Sequence, residues 1–130
     1  MARTVLLVDD EPDLVANCQR LLRPLGYICL TADTGLAALE LIESRSPDLV
    51  VTDLRLPGAD GLAVTRAARA HGPAIPVLLM SAHDSSDGRR AAAEAGAAVY
   101  LAKPFTNATF VAAVRRLLSD GATVAEATPS

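Results

Sequence analysis

Short aliphatic runs alternate along the chain with stretches whose apolar residues recur at helical spacing. In the first such stretch, Leu14, Cys18 and Leu21 follow one another at intervals of three or four residues, which is typical of an amphipathic helix. The runs that favour strands cover 4–8, 27–31, 48–53, 75–81 and 99–101. Strands and helices that alternate in this way predict a doubly wound α/β fold, with a parallel sheet and right-handed crossovers.

Capping and turn residues set the limits of the predicted helices. Pro12 suits the first turn of the first helix, and Gly26 suits its end. Thr34 is a candidate cap for a second helix over 35–44. The segment LRLPGADG that follows strand three is a loop by its proline and glycine content, and a third helix is predicted over 62–71.

The fourth helical segment differs from the others because it has no large apolar residue. Residues 84–88 have the composition of a loop, and RRAAAEAGAA (89–98) offers only alanine methyl groups to a core. Gly88 disfavours helix at its start. Since apolar area is what holds a helix to a sheet, we expect 84–95 to be the least firmly anchored part of the domain.

The chain of 130 residues has the length of one domain. Residues 1–121 are predicted to form it, with the last helix ending at Gly121 and 122–130 forming a flexible tail or the start of a linker.

Composition narrows the classes of function. The net charge is −3, aromatic residues make up 3% and tryptophan is absent, which argues against direct nucleic acid binding by this domain. No apolar run approaches the ~20 residues of a membrane span, and the N-terminus lacks a signal-peptide pattern. Cys18 and Cys29 lie among apolar residues without metal-type spacing and are expected to be free thiols. We expect a soluble cytoplasmic protein with no membrane partner.

Polar residues that can carry chemistry interrupt the apolar pattern where strands end. Asp9 and Asp10 follow strand one, Asp53 ends strand three, Ser81 ends strand four and Lys103 follows strand five. Each of them alone could be an ordinary cap or a surface residue. Ligands of open parallel sheets bind beyond the carboxyl ends of the strands, where these five residues converge.

Three carboxylates close together need a cation. Oxygen ligands without histidine or cysteine suit Mg²⁺ or Mn²⁺ better than zinc. The ammonium of Lys103 is a second positive charge facing the same space, where we expect it to be partly solvated. Two cations and a hydroxyl can neutralise a phosphoryl group in transfer, and a carboxylate can accept that group as an aspartyl phosphate.

Four segments together resemble the receiver domain of two-component response regulators. They are DDE at 9–11, Asp53 followed by LRLPGADG, Ser81-Ala82, and YLAKPF at 100–105. The resemblance covers about 4–119. It implies a flavodoxin-like fold, in which a five-stranded parallel sheet of order 2-1-3-4-5 is flanked by five helices.

The resemblance also implies roles at the phosphorylation site. Asp53 resembles the phosphoacceptor, and Lys103 and Ser81 resemble the groups that grip the phosphoryl oxygens. Ser81 together with Tyr100 resembles the switch pair. The bond between Lys103 and Pro104 matches a cis peptide of the family.

A second set of implied roles concerns the metal and the rim of the site. Asp10 and Asp53 resemble direct ligands of Mg²⁺, Asp9 resembles a ligand that acts through water, and the backbone carbonyl of Arg55 resembles the remaining protein ligand. The side chains of Arg55 and His83 match rim positions that tune phosphorylation. Glu11 belongs to the acidic triplet but is given no role.

The function implied by this resemblance is that of a phosphorylation-activated signalling receiver. A sensor histidine kinase or a histidine phosphotransfer protein would donate phosphate to Asp53, and the face formed by helix four, strand five and helix five would pass the change to an unknown output protein or domain. The domain would catalyse only its own phosphorylation and dephosphorylation.

Two alternatives remain. The chain could be the receiver fragment of a longer DNA-binding response regulator. It could also be an aspartyl-nucleophile phosphohydrolase, although the nucleophile motif of those enzymes is Asp-x-Asp and the acids here are contiguous.

Overall fold

A computed structural model of the chain describes residues 2–119, so Gly121 and the predicted tail at 122–130 lie outside the described part. The strands are β1 (Thr4–Val8), β2 (Ile28–Ala32), β3 (Leu49–Asp53), β4 (Val77–Ser81) and β5 (Val99–Ala102). The helices are α1 (Pro12–Leu22), α2 (Gly35–Arg45), α3 (Gly61–Ala70), α4 (Ser86–Ala95) and α5 (Asn107–Leu118). A 3₁₀ turn, Arg23–Leu25, extends α1 toward Gly26.

The five strands form one parallel sheet of order β2-β1-β3-β4-β5, which confirms the predicted fold and strand order. The register aligns the carboxyl ends of the inner strands. Val8 lies opposite Thr52, and Asp53 lies opposite Met80. Polar residues at and after these ends therefore share one edge of the sheet.

Two apolar clusters cover the two faces of the sheet. On one face, Leu7 packs with residues of α1 and α5, including Cys18 and Phe110. On the other face, Leu6 packs with residues of α2 and α3. Every residue of β3 and β4 is buried, because helices cover both sides of these inner strands. Among residues 2–119, no helix is both long and apolar enough to cross a bilayer.

Side-chain caps stand at the start of four helices, and two of them bear on the sequence predictions. The hydroxyl of Thr34 accepts a hydrogen bond of 3.1 Å from the amide of Ala37, and α2 starts after Thr34 as predicted. Ser85 caps α4 in the same way, accepting from the amide of Gly88 at 3.0 Å. The prediction of a loop through Gly88 is therefore wrong for 86–88, because the cap brings these residues into the first turn of the helix.

Two glycines allow the loop after β3 to lie against its neighbours. A Cβ atom on Gly61 would collide with the carbonyl oxygen of Asp53 and would lie 2.8 Å from Cα of Leu54. A Cβ atom on Gly35, in the first turn of α2, would collide with the carbonyl oxygen of Ala59. The loop is therefore in backbone contact both with the end of β3 and with α2.

Candidate functional site

The structure brings the acidic residues of the sequence pattern together at the carboxyl edge of the sheet. Asp9, Asp10 and Asp53 each offer a carboxylate oxygen, and these oxygens lie within 4.8 Å of one another. Asp9 and Asp53 are buried, whereas Asp10 is exposed. Ser81 is buried at the end of β4. Arg55 and His83 are exposed in the loops after β3 and β4.

Lys103 reaches across this edge and contacts three acids. Its Nζ donates hydrogen bonds to Asp9 Oδ2 at 3.0 Å and to Glu11 Oε1 at 2.9 Å. Asp53 Oδ1 is farther away, at 3.6 Å. The side chain of Lys103 is 13% exposed, so the ammonium is partly buried and keeps some contact with water. The contact with Glu11 is the feature of the site that the sequence did not indicate.

Burial and charge act in opposite directions on Asp53. Burial raises the pKa of its carboxyl group above the ordinary value, and the charge of Asp9 adds to the rise. The charge of Lys103 and the amide of Leu54, which donates to Asp53 Oδ1 at 3.0 Å, lower the pKa without cancelling the rise. Burial and the charge of Asp9 therefore outweigh the attraction of Lys103 for this carboxylate.

Lys103 itself is held in the charged form. Its burial lowers its pKa, but its hydrogen bonds to Glu11 and Asp9 and the charge of Asp53 outweigh that effect and raise the pKa overall. The lysine is therefore a permanent cation of the site at neutral pH.

The donor set fits a hard divalent cation. The three clustered acids offer only oxygen, and this set lacks the nitrogen or sulfur ligands that zinc prefers. Both oxygens of Asp9 already have partners, since Oδ1 accepts from the amide of Glu11 at 2.9 Å and Oδ2 accepts from Lys103. Within residues 2–119, the carboxylate of Asp10 has no such partner. Asp10 is therefore the acid best placed to bind a cation directly.

The hydroxyl of Ser81 and the ring of Tyr100 meet at the backbone of His83. Ser81 Oγ donates to the carbonyl oxygen of His83 and accepts from its amide, both at 3.1 Å. The hydroxyl of Tyr100 donates to the same carbonyl oxygen over 3.5 Å, which makes it a weak bond. The side chain of Ser81 is thus hydrogen-bonded to the loop that directly follows β4.

The chain turns sharply after the lysine. The peptide bond between Lys103 and Pro104 is cis, and so is the bond between Gly72 and Pro73 in the α3–β4 loop, which the sequence did not indicate. The amide of Lys103 donates to the carbonyl of Ser81 at 2.8 Å. This bond fixes the start of the lysine loop to the end of β4.

Known proteins match almost the whole described chain. A family model of the response regulator receiver domain matches residues 5–115. Transcriptional regulatory protein PrrA of Mycobacterium tuberculosis is 44% identical over 114 residues, which are 88% of this chain and 49% of PrrA. DNA-binding transcriptional regulator NtrC of Escherichia coli is 37% identical over 115 residues, which are 88% of this chain and 24% of NtrC. The chain thus spans about half the length of PrrA and a quarter of NtrC.

Solved structures agree with these matches. The receiver domain of the putative response regulator NarL from Mycobacterium tuberculosis superposes with a TM-score of 0.79 at 37% identity, covering 87% of this chain and 93% of the other. The chemotaxis response regulator CheY4 of Vibrio cholerae gives 0.83 at 26% identity, covering 91% and 100%.

The family model, the relatives and the fold all point to one class of protein. They confirm the resemblance seen in the sequence, and none of these matches is a phosphohydrolase. The chain belongs to the family of receiver domains of two-component response regulators.

Proposed function

We propose that this domain is a switch activated by phosphorylation of Asp53. The observation that carries the proposal is the position of that carboxylate. Asp53 ends a fully buried strand, lies 3.6 Å from the ammonium of Lys103 and shares a cation-sized cluster with Asp9 and Asp10. Asp9 also contacts Lys103, but both of its oxygens already accept hydrogen bonds, whereas Asp53 Oδ2 accepts none among residues 2–119.

The geometry prepares one oxygen of Asp53 for attack. Its Oδ1 is held by the amide of Leu54, whereas Oδ2 makes no hydrogen bond within residues 2–119. This free oxygen would form the new bond to phosphorus as the phosphorus–nitrogen bond of a phosphohistidine donor breaks and the imidazole leaves. Lys103 would then neutralise part of the charge on the phosphoryl oxygens.

The metal of this site would be Mg²⁺ or Mn²⁺. Asp10 and Asp53 would bind it directly, Asp9 through water, and the backbone carbonyl of Arg55 would complete the protein ligands. When bound, the ion would supply positive charge to three clustered carboxylates, of which Lys103 contacts two.

The shared carbonyl of His83 suggests how the change spreads. A phosphoryl group on Asp53 would offer Ser81 a stronger acceptor than the backbone of its own loop. Turning toward that group, the hydroxyl would release the carbonyl of His83, which also accepts from Tyr100. The surface of α4, β5 and α5 would change with Tyr100, while the exposed side chains of Arg55 and His83 would tune the rate at the rim.

The partners follow from this role. A sensor histidine kinase or a histidine phosphotransfer protein would supply the phosphoryl group in the cytoplasm. The domain would catalyse only its own phosphorylation and dephosphorylation. Since the chain spans half of PrrA, a second candidate is the receiver part, residues 1–121, of a longer DNA-binding regulator.

Incubation with acetyl phosphate and Mg²⁺, followed by mass spectrometry, tests the phosphoacceptor. Label should map to Asp53 and be lost in Asp53→Asn, whereas Asp33→Asn, which removes an exposed acid after β2, should be labelled normally. Full labelling of Asp53→Asn at another residue would overturn the assignment. Repeated turnover of a generic phosphate ester would favour a phosphohydrolase.

Titration with Mg²⁺ tests the metal ligands separately. Asp10→Ala should weaken binding strongly because it removes a direct ligand and a charge together. Asp9→Ala should weaken binding less, because Asp9 acts through water. An unchanged titration for Asp10→Ala would contradict the proposed metal site.

A further inference from the structure

Lys103 directs its hydrogen bonds away from the proposed phosphoacceptor. Its two short bonds, 3.0 and 2.9 Å, go to Asp9 and Glu11, while Asp53 Oδ1 lies beyond hydrogen-bond distance at 3.6 Å. An ammonium has three N–H groups, and two of them are engaged by these acids. One N–H group is left for a phosphoryl group on Asp53, so the lysine can give a second hydrogen bond to that group only by releasing one of its two acids.

The two partners of the lysine are not equally easy to release. The side chain of Asp9 is 2% exposed, and a buried carboxylate that loses its cation pays the full cost of desolvation. The side chain of Glu11 is 64% exposed, so water can replace the lysine there. Glu11 and Lys103 also line the same open cavity of about 620 Å³, which leaves Glu11 room to swing outward.

We propose that Glu11 is a positioning residue that holds Lys103 in the resting state and competes with the phosphoryl group for it. The inference rests on the proposed function of Asp53 and deepens it. Phosphorylation exchanges one ion pair of the lysine, with Glu11, for another, with the phosphoryl oxygens. Glu11 thereby lowers the affinity of the site for a phosphoryl group and favours the unphosphorylated state.

The structure offers a clean variant for testing this role. Glu11 is the N-cap residue of α1, but its side chain makes no capping hydrogen bond, so Glu11→Gln keeps the helix start and removes only the charge. Asp13 is an exposed acid of the first turn of α1 that lines the same cavity without contacting Lys103. Asp13→Asn therefore removes the same charge nearby and serves as the matched control.

The test measures binding of beryllium trifluoride, a non-covalent phosphoryl mimic, at saturating Mg²⁺. Glu11→Gln should bind it more tightly by about three- to fivefold, the effect of losing one partly exposed ion pair. Asp13→Asn should change the affinity less than about twofold, since an exposed charge that makes no ion pair with Lys103 is largely screened. The effect of Glu11→Gln should vanish in a Lys103→Met background, because no lysine is then left to compete for. Mg²⁺ alone should not bind more tightly to Glu11→Gln, since that variant removes negative charge.

The outcomes distinguish a failure of the proposed role of Glu11 from a failure of the proposed function of Asp53. Equal shifts for Glu11→Gln and Asp13→Asn, no shift for Glu11→Gln, or a shift that survives in the Lys103→Met background would overturn the role of Glu11. The proposed function would still stand if the wild-type domain binds the mimic and Asp53→Asn does not. Failure of the wild-type domain to bind the mimic at all would overturn both.

Discussion

The guanidinium of Arg89 lies 4.7 Å from the centre of the Tyr100 ring, and the same group is bonded to Asp84 at 2.7 and 3.0 Å. Arg89 belongs to α4 and Tyr100 to β5, so this contact joins the first half of the helix to the strand that carries the proposed switch residue. The ring therefore has a cation on its face and the loop of Asp84 beside it. Its resting position depends on α4 as well as on its own strand.

Replacing Arg89 should make the ring of Tyr100 more accessible to solvent. We expect Arg89→Ala to increase the quenching of Tyr100 fluorescence by iodide, measured in a Tyr27→Phe background that removes the other tyrosine. Arg90→Ala is the matched control, because Arg90 pairs with Asp87 at 3.8 Å and contacts no ring among the described residues. Equal quenching of the two variants would show that the cation does not hold the ring.

Asp53→Asn should stabilise the metal-free domain at neutral pH. The folded state raises the pKa of Asp53, so it binds that proton more tightly than the unfolded chain. The protonated carboxyl of wild-type Asp53 therefore favours folding. This contribution is fully present below the unfolded pKa and is lost as the pH rises through the raised, folded pKa. The neutral amide avoids that loss.

Urea unfolding at several pH values checks this sign. The stability difference between Asp53→Asn and wild type should be largest near neutrality and should shrink as the pH falls through the raised pKa of Asp53, where the wild-type carboxylate takes up its proton. A constant difference across this range would contradict the proposed cause.

Lys103→Met should destabilise the metal-free domain. Removing the ammonium leaves Asp9 and Asp53 facing each other without a cation, and losing one partner of a buried pair costs about 3 kcal/mol or more. Mg²⁺ should bind this variant more tightly than wild type and restore stability, by about 2.7 kcal/mol at one hundred times its dissociation constant. Lys103→Arg, which keeps the charge, is the control, and thermal melts with and without Mg²⁺ compare them. Equal melting of wild type and Lys103→Met without metal would refute the prediction.

Helix α4 should open more readily than its neighbours. Among the ten described residues of α4, Ala92 alone is buried, whereas α5 buries Phe110, Val114 and Leu118. A single methyl group anchors a helix far less than a phenyl ring and two branched chains. Amides of 86–95 should exchange with deuterium faster than those of α1 and α5, and should slow when beryllium trifluoride is bound. Equal protection in the resting state would contradict this.

The sequence was sufficient to predict the fold because its apolar patterns, helix caps and turn residues all indicated the same elements. The inner strands are continuous apolar runs, as burial on both faces requires, and the caps and turn residues fixed most of the boundaries between elements. The sequence also predicted that the functional side chains share the carboxyl edge of the sheet, since polar residues such as Asp53 stand where buried strands end. The start of α4 was missed because Ser85 also fits a loop, and only its bond to the amide of Gly88 shows it to be a cap.

What the sequence could not supply is the direction of long side chains. Lys103 lies more than ninety positions from Asp9 and Glu11, and its partners depend on how four rotatable bonds settle in the folded site. Nothing in the spacing separates Glu11 from an ordinary solvated acid. The burial of Lys103 and its contact with Glu11 emerge only when the sheet edge is assembled.

A screen of all single substitutions for signalling function should find Gly35 and Gly61 intolerant of substitution, although neither residue has functional groups in a side chain. Neither has a side chain to bind metal or phosphate, yet any Cβ at either position meets backbone oxygen rather than a movable group. Because the carbonyl that Gly61 would strike belongs to Asp53, even alanine there should displace the end of β3. Such a screen would find these two glycines as intolerant of substitution as the acids, although their role is to let two backbones pack closely and not to bind a phosphoryl group.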